Sequence, residues 1–186
     1  MKLLIMGPPG VGKGTQATLL KDQLKIVHLS TGDILRSEIK KKSSIGLKAK
    51  SYMDAGKLVP DQVLLDIIND RIIERDCIEG YLLDGFPRTL NQAIGLDNIM
   101  SSIHHSLDSA ISLVADSDEL VQRLIKRGID SGRSDDTDEV IRNRQKIYWE
   151  ETAPLLDYYK EKNILKEVNG IGDIKQITKR ILEKIK

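Results

Sequence analysis

The feature that most restricts what this chain can fold into is Gly7-Pro8-Pro9-Gly10-Val11-Gly12-Lys13-Gly14-Thr15, directly behind the apolar run Leu3-Leu4-Ile5-Met6. An apolar run that stops at a Gly-rich turn and gives way to helically spaced Ala17, Leu19, Leu20 and Leu24 reads as strand, loop and helix. In that context the glycines make a phosphate cradle, because without Cβ atoms their backbone N–H groups can converge on an anion. The following helix adds orphan donors and its positive dipole end. Lys13 adds a point charge suited to β- and γ-phosphate oxygens. The general phosphate-loop pattern G-x-x-x-x-G-K-[ST] places a hydroxyl directly after the lysine. Here Gly14 takes that place and Thr15 follows, so the loop is a variant of the pattern. It is expected to bind a nucleoside triphosphate.

The rest of the chain alternates short apolar runs with helical periodicity. Further strands are expected at 25–29, 81–83, 110–114 and 164–168. Helices are expected at 45–55, from Asp61 as N-cap through Ile72, from about Leu90, at 117–127, at 137–161 with a kink or break at Pro154, and from Asp173 to the end. Residues 30–59 read as a small helical insertion, and the polar, Gly-punctuated stretch 127–137 as a short, mobile lid loop. This alternation predicts an α/β, P-loop NTPase-type three-layer fold in one domain over 1–186, with a five-stranded parallel sheet covered on both sides. Ligands of such sheets sit beyond the carboxyl ends of the strands. The residues there are Gly7–Thr15, 30–33, 84–88, 115–116 and 169–172.

Composition narrows the partners. Of 186 residues 40% are hydrophobic and 31% charged, and the formal net charge is +1. That balance gives no global basic field for nucleic acid or a membrane surface, so local arginines must carry any anion binding. Cys77 is the single cysteine, which leaves no internal disulfide and suits a reducing, cytoplasmic setting. The apolar start ends at Gly7 after four residues, too short for a signal-peptide core, and no run approaches the roughly 18 apolar residues of a membrane helix. A monomer is expected.

Taken together, these stretches resemble the adenylate kinase family of nucleoside monophosphate kinases along nearly the whole chain. The motifs that carry the resemblance are the loop at Gly7–Thr15, Ser30-Thr31-Gly32-Asp33 with Leu35-Arg36, and Gly56-Lys57-Leu58-Val59-Pro60. They continue with Asp84-Gly85-Phe86-Pro87-Arg88-Thr89 and Gln92, Arg123 to Arg127, Gly132-Arg133 with Asp135-Asp136, and Arg144, all in the family's order. The resemblance implies reversible in-line transfer of the terminal phosphoryl group of ATP to AMP, with Mg²⁺ and without a covalent intermediate. It implies ATP phosphates on Gly10, Val11, Gly12, Lys13, Gly14 and Thr15, with Arg127, and with Gly172 allowing backbone approach to the donor adenine. It implies AMP on Thr31, Arg36, Lys57, Leu58, Val59, Gly85, Phe86, Pro87, Arg88 and Gln92, with Arg133 and Arg144 bridging towards the transferring phosphoryl. Lys13, Arg88, Arg123, Arg127, Arg133 and Arg144 are then the catalytic cations, and Asp84 serves Mg²⁺ through water. The lid stretch is short and lacks cysteine, so no zinc site is expected.

The physical reading agrees with that division. A protein that moves a phosphoryl group between two nucleotides must gather two anionic chains and neutralise their repulsion, so positioning and charge stabilisation dominate. Several arginines converging on one cleft are what that task requires. A non-catalytic nucleotide switch has little use for a second anion site, and no water-activating residue suggests a hydrolase. A pyrimidine monophosphate kinase of the same fold is the nearest rival. Thr31 and the Thr89-to-Gln92 spacing resemble the adenylate kinases rather than the pyrimidine enzymes, and the Gln92 amide offers one donor and one acceptor to the purine edge, so both favour the adenine reading. His28, His104 and His105 show no carboxylate pattern or metal-ligand spacing and are read as ordinary surface or core residues.

Overall fold

A computed structural model describes residues 1–131 and 137–186, so Arg133 and the rest of 132–136 in the expected lid lie outside the described residues. The strands are β1 (Lys2–Met6), β2 (Val27–Ser30), β3 (Tyr81–Asp84), β4 (Ser109–Val114) and β5 (Leu165–Asn169). The helices are α1 (Lys13–Leu24), α2 (Thr31–Lys41), α3 (Ser44–Asp54), α4 (Asp61–Ile72), α5 (Leu90–Ser102), α6 (Ser117–Ser131), α7 (Asp138–Ile147), α8 (Leu155–Glu161) and α9 (Ile174–Ile185). The five strands form one sheet in the order β2-β3-β1-β4-β5, and each of its pairings is parallel.

The unbroken Leu3-Leu4-Ile5-Met6 run is explained by burial on both faces. Leu4 and Met6 belong to one core with Leu83, Phe86 and Leu96, while Leu3 and Ile5 belong to the other with Ala17, Leu20 and Ile111. Alternate residues of one strand thus feed two helical layers, the expected pattern for a parallel sheet. The crossover from β1 leads to β2 on one side of the sheet and that from β4 to β5 on the other. The direction of the connections therefore reverses between the adjacent β1 and β4, the kind of position beside which ligands of such sheets bind, at the carboxyl ends of the strands.

The 30–59 insertion folds as a tight pair of helices. Ser30 caps α2 by accepting from the Asp33 N–H, and Ser43 caps α3 by accepting from the Gly46 N–H at 3.0 Å. The pair closes so tightly that a Cβ at position 46 would lie 2.2 Å from the Glu38 carbonyl oxygen. Because the obstacle is backbone, Gly46→Ala is expected to destabilise the protein by about 1–3 kcal/mol, read as a lower midpoint in urea unfolding.

Three sequence expectations change. Asp61 is not the cap of α4. Pro60 occupies that place, and Asp61 begins the helix with its carboxylate turned towards α5. The helix expected to end at Arg127 runs on to Ser131, so the described first part of the expected lid loop is helical. The cost of about 1 kcal/mol for a helical glycine at Gly128 does not stop it. The long carboxyl-proximal helix breaks earlier than Pro154, through a π-turn at Tyr148–Thr152 between α7 and α8. No helix among the described residues is long and apolar enough to cross a membrane.

Candidate active site

The carboxyl ends of β1, β2 and β3 open into a cleft of about 610 Å³. Gly7, Pro9, Gly10, Gly12, Lys13, Gly14 and Thr15 form its floor. Gly10 has φ +88°, and a Cβ there would meet the Leu120 carbonyl oxygen at 2.7 Å, so backbone conformation and close approach to α6 both require glycine. Val11 departs from its neighbours. Its side chain is 1% exposed in the core beneath the loop and does not line the cleft, so any contact it makes with phosphate comes from its backbone.

Lys13 stands at the amino end of α1, and its ammonium donates to the carbonyls of Gly7 at 2.7 Å and Pro8 at 3.0 Å. Burial pushes its pKa from the ordinary 10.5 down to about 7; Arg88, Arg144 and Arg127 press the same way, and Asp84 opposes them. That pattern describes a cation cluster assembled for an anion. Arg123 and Arg127 enter the cleft from α6 and Arg144 from α7, facing Arg88 beyond β3.

Asp84 ends β3 at the cleft mouth and is 8% exposed. Its Oδ2 lies 3.1 Å from His28 Nε2. The two residues are far apart in sequence, but their strands are neighbours, with Ser30 opposite Asp84 and His28 opposite Leu82. His28 and Asp84 therefore share a sheet face, a relation that local spacing does not reveal. The carboxylate, close to Lys13 and the phosphate loop, fits a water-held Mg²⁺.

Across the cleft, Thr31 is 2% exposed and its hydroxyl donates to the Gly85 carbonyl at 3.0 Å. Arg36 lines the same wall, paired with Asp33 at 2.6 Å. Lys57, Leu58 and Val59 continue the lining from the end of the insertion, and Gly85, Phe86 and Pro87 from the loop after β3. Phe86 and Pro87 are joined by a cis peptide bond. Arg88 is held at three points. Its Nε donates to the Gly85 carbonyl at 2.7 Å, its N–H donates to Gln92 Oε1 at 2.7 Å, and its carbonyl accepts from the Thr152 hydroxyl at 2.9 Å.

Besides Val11, two expected residues lie outside this cleft lining. Gln92 is fully buried behind Arg88, with Asp61 at the other end of its amide. Gly172, with φ +116°, sits in the turn between β5 and α9 beside Arg180, which donates to the Asn169 and Ile171 carbonyls. Sequence reasoning missed the residues that flank Arg144. Asn143 donates to the Ala55 carbonyl at 2.8 Å, and Gln145 to the Pro9 carbonyl at 3.1 Å. One turn of α7 thereby ties the insertion to the phosphate loop around Arg144. Charge alternation on an exposed helix carries no signal for such links.

A parallel sheet whose first strand ends in a lysine-bearing phosphate loop, beside a cleft into which arginines converge, defines the class: a P-loop protein built for polyphosphate ligands. The sequence profile described as "Adenylate kinase" matches residues 5–164. An adenylate kinase of Leptospira biflexa is 50% identical over 184 residues, 99% of each chain. One of Nocardioides sp. (strain ATCC BAA-499 / JS614) is 47% identical over 98% of this chain and 96% of its own. One of Stenotrophomonas maltophilia (strain K279a) is 44% identical over the full length of both. The chain belongs to the adenylate kinase family.

Proposed function

We propose that this protein transfers the terminal phosphoryl group of ATP to AMP, reversibly, giving two ADP. The observation that carries this reading is the half-buried Lys13 surrounded by Arg88, Arg127 and Arg144 at the floor of one cleft. One triphosphate on the loop would satisfy the lysine. The remaining arginines suit a second phosphate chain. In this reading the loop residues Gly10 to Thr15 and Lys13 hold the donor phosphates, with Arg123 and Arg127 beside them, while Arg36 and Arg88 hold the acceptor phosphate. Arg144 spans the two, and Arg133 is proposed for the same task. Thr31, Lys57 to Val59, Gly85 to Pro87 and Gln92 surround the acceptor nucleoside, and Gly172 lets backbone approach the donor base. Asp84 would hold Mg²⁺ through water, and that ion would neutralise charge on the bridging phosphate oxygens. The attacking AMP phosphate is already anionic, so no general base is needed.

The 30–59 insertion and the 127–137 stretch act as covers that exclude water and protect ATP from hydrolysis. A cytoplasmic monomer that uses small-molecule substrates, and neither nucleic acid nor a membrane, completes the proposal. Its test is ADP formation from MgATP with AMP, CMP, UMP or GMP as acceptor, each against an ATP-only blank. Fast turnover confined to AMP is expected. Preference for CMP or UMP would overturn the acceptor, and ATP binding with no acceptor-dependent turnover would overturn the enzymatic reading.

A further inference from the structure

Behind the acceptor wall lies a closed polar network that the reaction itself does not call for. Gln92 Nε2 donates to Asp61 Oδ1 at 2.7 Å, and Gln92 Oε1 accepts from the Arg88 N–H at 2.7 Å. The Thr89 hydroxyl donates to Asp61 Oδ2 at 3.1 Å and accepts the Gln92 N–H at 3.2 Å, capping α5. Gln92 is 0% exposed, and Leu64, Arg88 and Thr152 around this network line the cleft.

A carboxylate only accepts and a backbone N–H only donates, so the two partners of the Gln92 amide admit one orientation. Rotated by half a turn, the amide would set its oxygen against the Asp61 carboxylate and its NH₂ against the Arg88 N–H. Each end of the amide spends one hydrogen-bonding position on these partners. One hydrogen and one lone-pair position remain.

That orientation has a chemical consequence. Adenine offers a donor at its 6-amino group and an acceptor at N1. Hypoxanthine and guanine offer an acceptor at O6 and a donor at N1, the reverse pair. An amide free to turn can serve either edge, whereas one held at both ends, by Asp61 and by the Arg88 N–H, can serve only one. We propose that Asp61 is a specificity-determining positioning residue, which locks the Gln92 amide so that a 6-aminopurine monophosphate is accepted and a 6-oxopurine monophosphate is refused. This rests on the reading that Gln92, 0% exposed behind Arg88 without nucleotide, meets the acceptor base when the monophosphate is bound.

The test compares AMP with IMP, which differs at the 6-position without the added 2-amino group of GMP. Asp61→Ser keeps a residue well suited to a helix start, but its hydroxyl is too short to reach the amide. Asp61→Asn keeps an acceptor oxygen at full length and serves as the conservative rescue. In Asp61→Ser the Arg88 N–H still holds Oε1 but nothing holds Nε2, so KM for AMP is expected to rise about fivefold with kcat little changed, and the AMP-over-IMP ratio of kcat/KM to fall about fivefold. Asp61→Asn should retain most of the preference. A purely structural role would lower the melting temperature and affect both acceptors alike. A parallel Gln92→Leu variant separates the two layers of the argument. If it raises KM for AMP while Asp61→Ser leaves KM and the ratio within twofold of the parent, the locking role of Asp61 is overturned and the Gln92 reading survives. If Gln92→Leu leaves KM for AMP unchanged, the Gln92 reading fails and the inference with it. Should Asp61→Ser be unstable, the ¹⁵N–¹H resonances of the Gln92 side chain in the parent and in Asp61→Asn decide. Two well-dispersed amide protons, one shielded from exchange, are expected, and a freely exchanging pair would overturn the proposal.

Discussion

Lys13→Met is expected to abolish turnover while making the nucleotide-free protein more stable. The two effects have one origin. The Lys13 ammonium lies under the Gly7 and Pro8 carbonyls with Arg88, Arg127 and Arg144 nearby, an environment that opposes its charge more than Asp84 supports it. Its pKa falls from 10.5 to about 7. The unfolded chain keeps the proton up to about 10.5, whereas the folded one releases it near 7. Across that window the unfolded state binds more protons, so stability rises with pH, and the cost of the lysine is fully present below 7. A methionine has no such cost. The variant's melting temperature should exceed the parent's most clearly at or below pH 7, with the gap closing towards pH 10. Without a cation to follow charge onto the transferred group, the rate should drop at least about 10³-fold. Near-parental turnover would remove Lys13 from the chemistry. A variant less stable than the parent at pH 7 would show that the amine is stabilised where it sits.

That cluster also shows what a sequence can and cannot disclose. The phosphate loop was legible because its parts are contiguous: strand, glycines, lysine and helix follow within one short stretch, and each has a local physical reason. The two-sided burial of β1 was legible from an apolar run without polar alternation. Relations that pass between elements were not. His28 meets Asp84 only because β2 and β3 are neighbours in register. Asn143 and Gln145 reach carbonyls of Ala55 and Pro9, and a backbone carbonyl leaves no trace in residue identity. Asp61 looked like a helix cap because acidic residues suit helix starts, yet its carboxylate serves Gln92 and Thr89 on another helix. Local rules were satisfied there by Pro60 and the first-turn charge, which left the side chain available for a tertiary task. The α6 extension past Gly128 follows the same logic, since a modest propensity cost is outweighed by continuing a hydrogen-bonded helix.

Arg88→Ala should separate the two nucleotide sites more sharply than any other single change in the cleft. Three hydrogen bonds fix its backbone and side chain before any ligand arrives: its N–H to Gln92, its carbonyl from Thr152 and its Nε to Gly85. Alanine keeps the first two, which involve the backbone, so the loop after β3 should hold its shape and the melting temperature should change little. What disappears is a planar cation between the acceptor wall and Lys13. Arginine offers two parallel donors to a phosphate, and a lysine at the same place offers only a point charge. For Arg88→Ala, kcat/KM for AMP is expected to fall on the order of 10³-fold, while the dissociation constant of ATP, measured calorimetrically without AMP, moves by less than about threefold. Arg88→Lys should recover only part of the loss. Because Arg88 also presses the Lys13 proton off, its removal should raise the Lys13 pKa and shift the stability profile of the nucleotide-free protein towards higher pH. Equal losses for AMP and ATP would mean that Arg88 serves both phosphate chains, and the division of the cleft into donor and acceptor halves would have to be redrawn around Arg144.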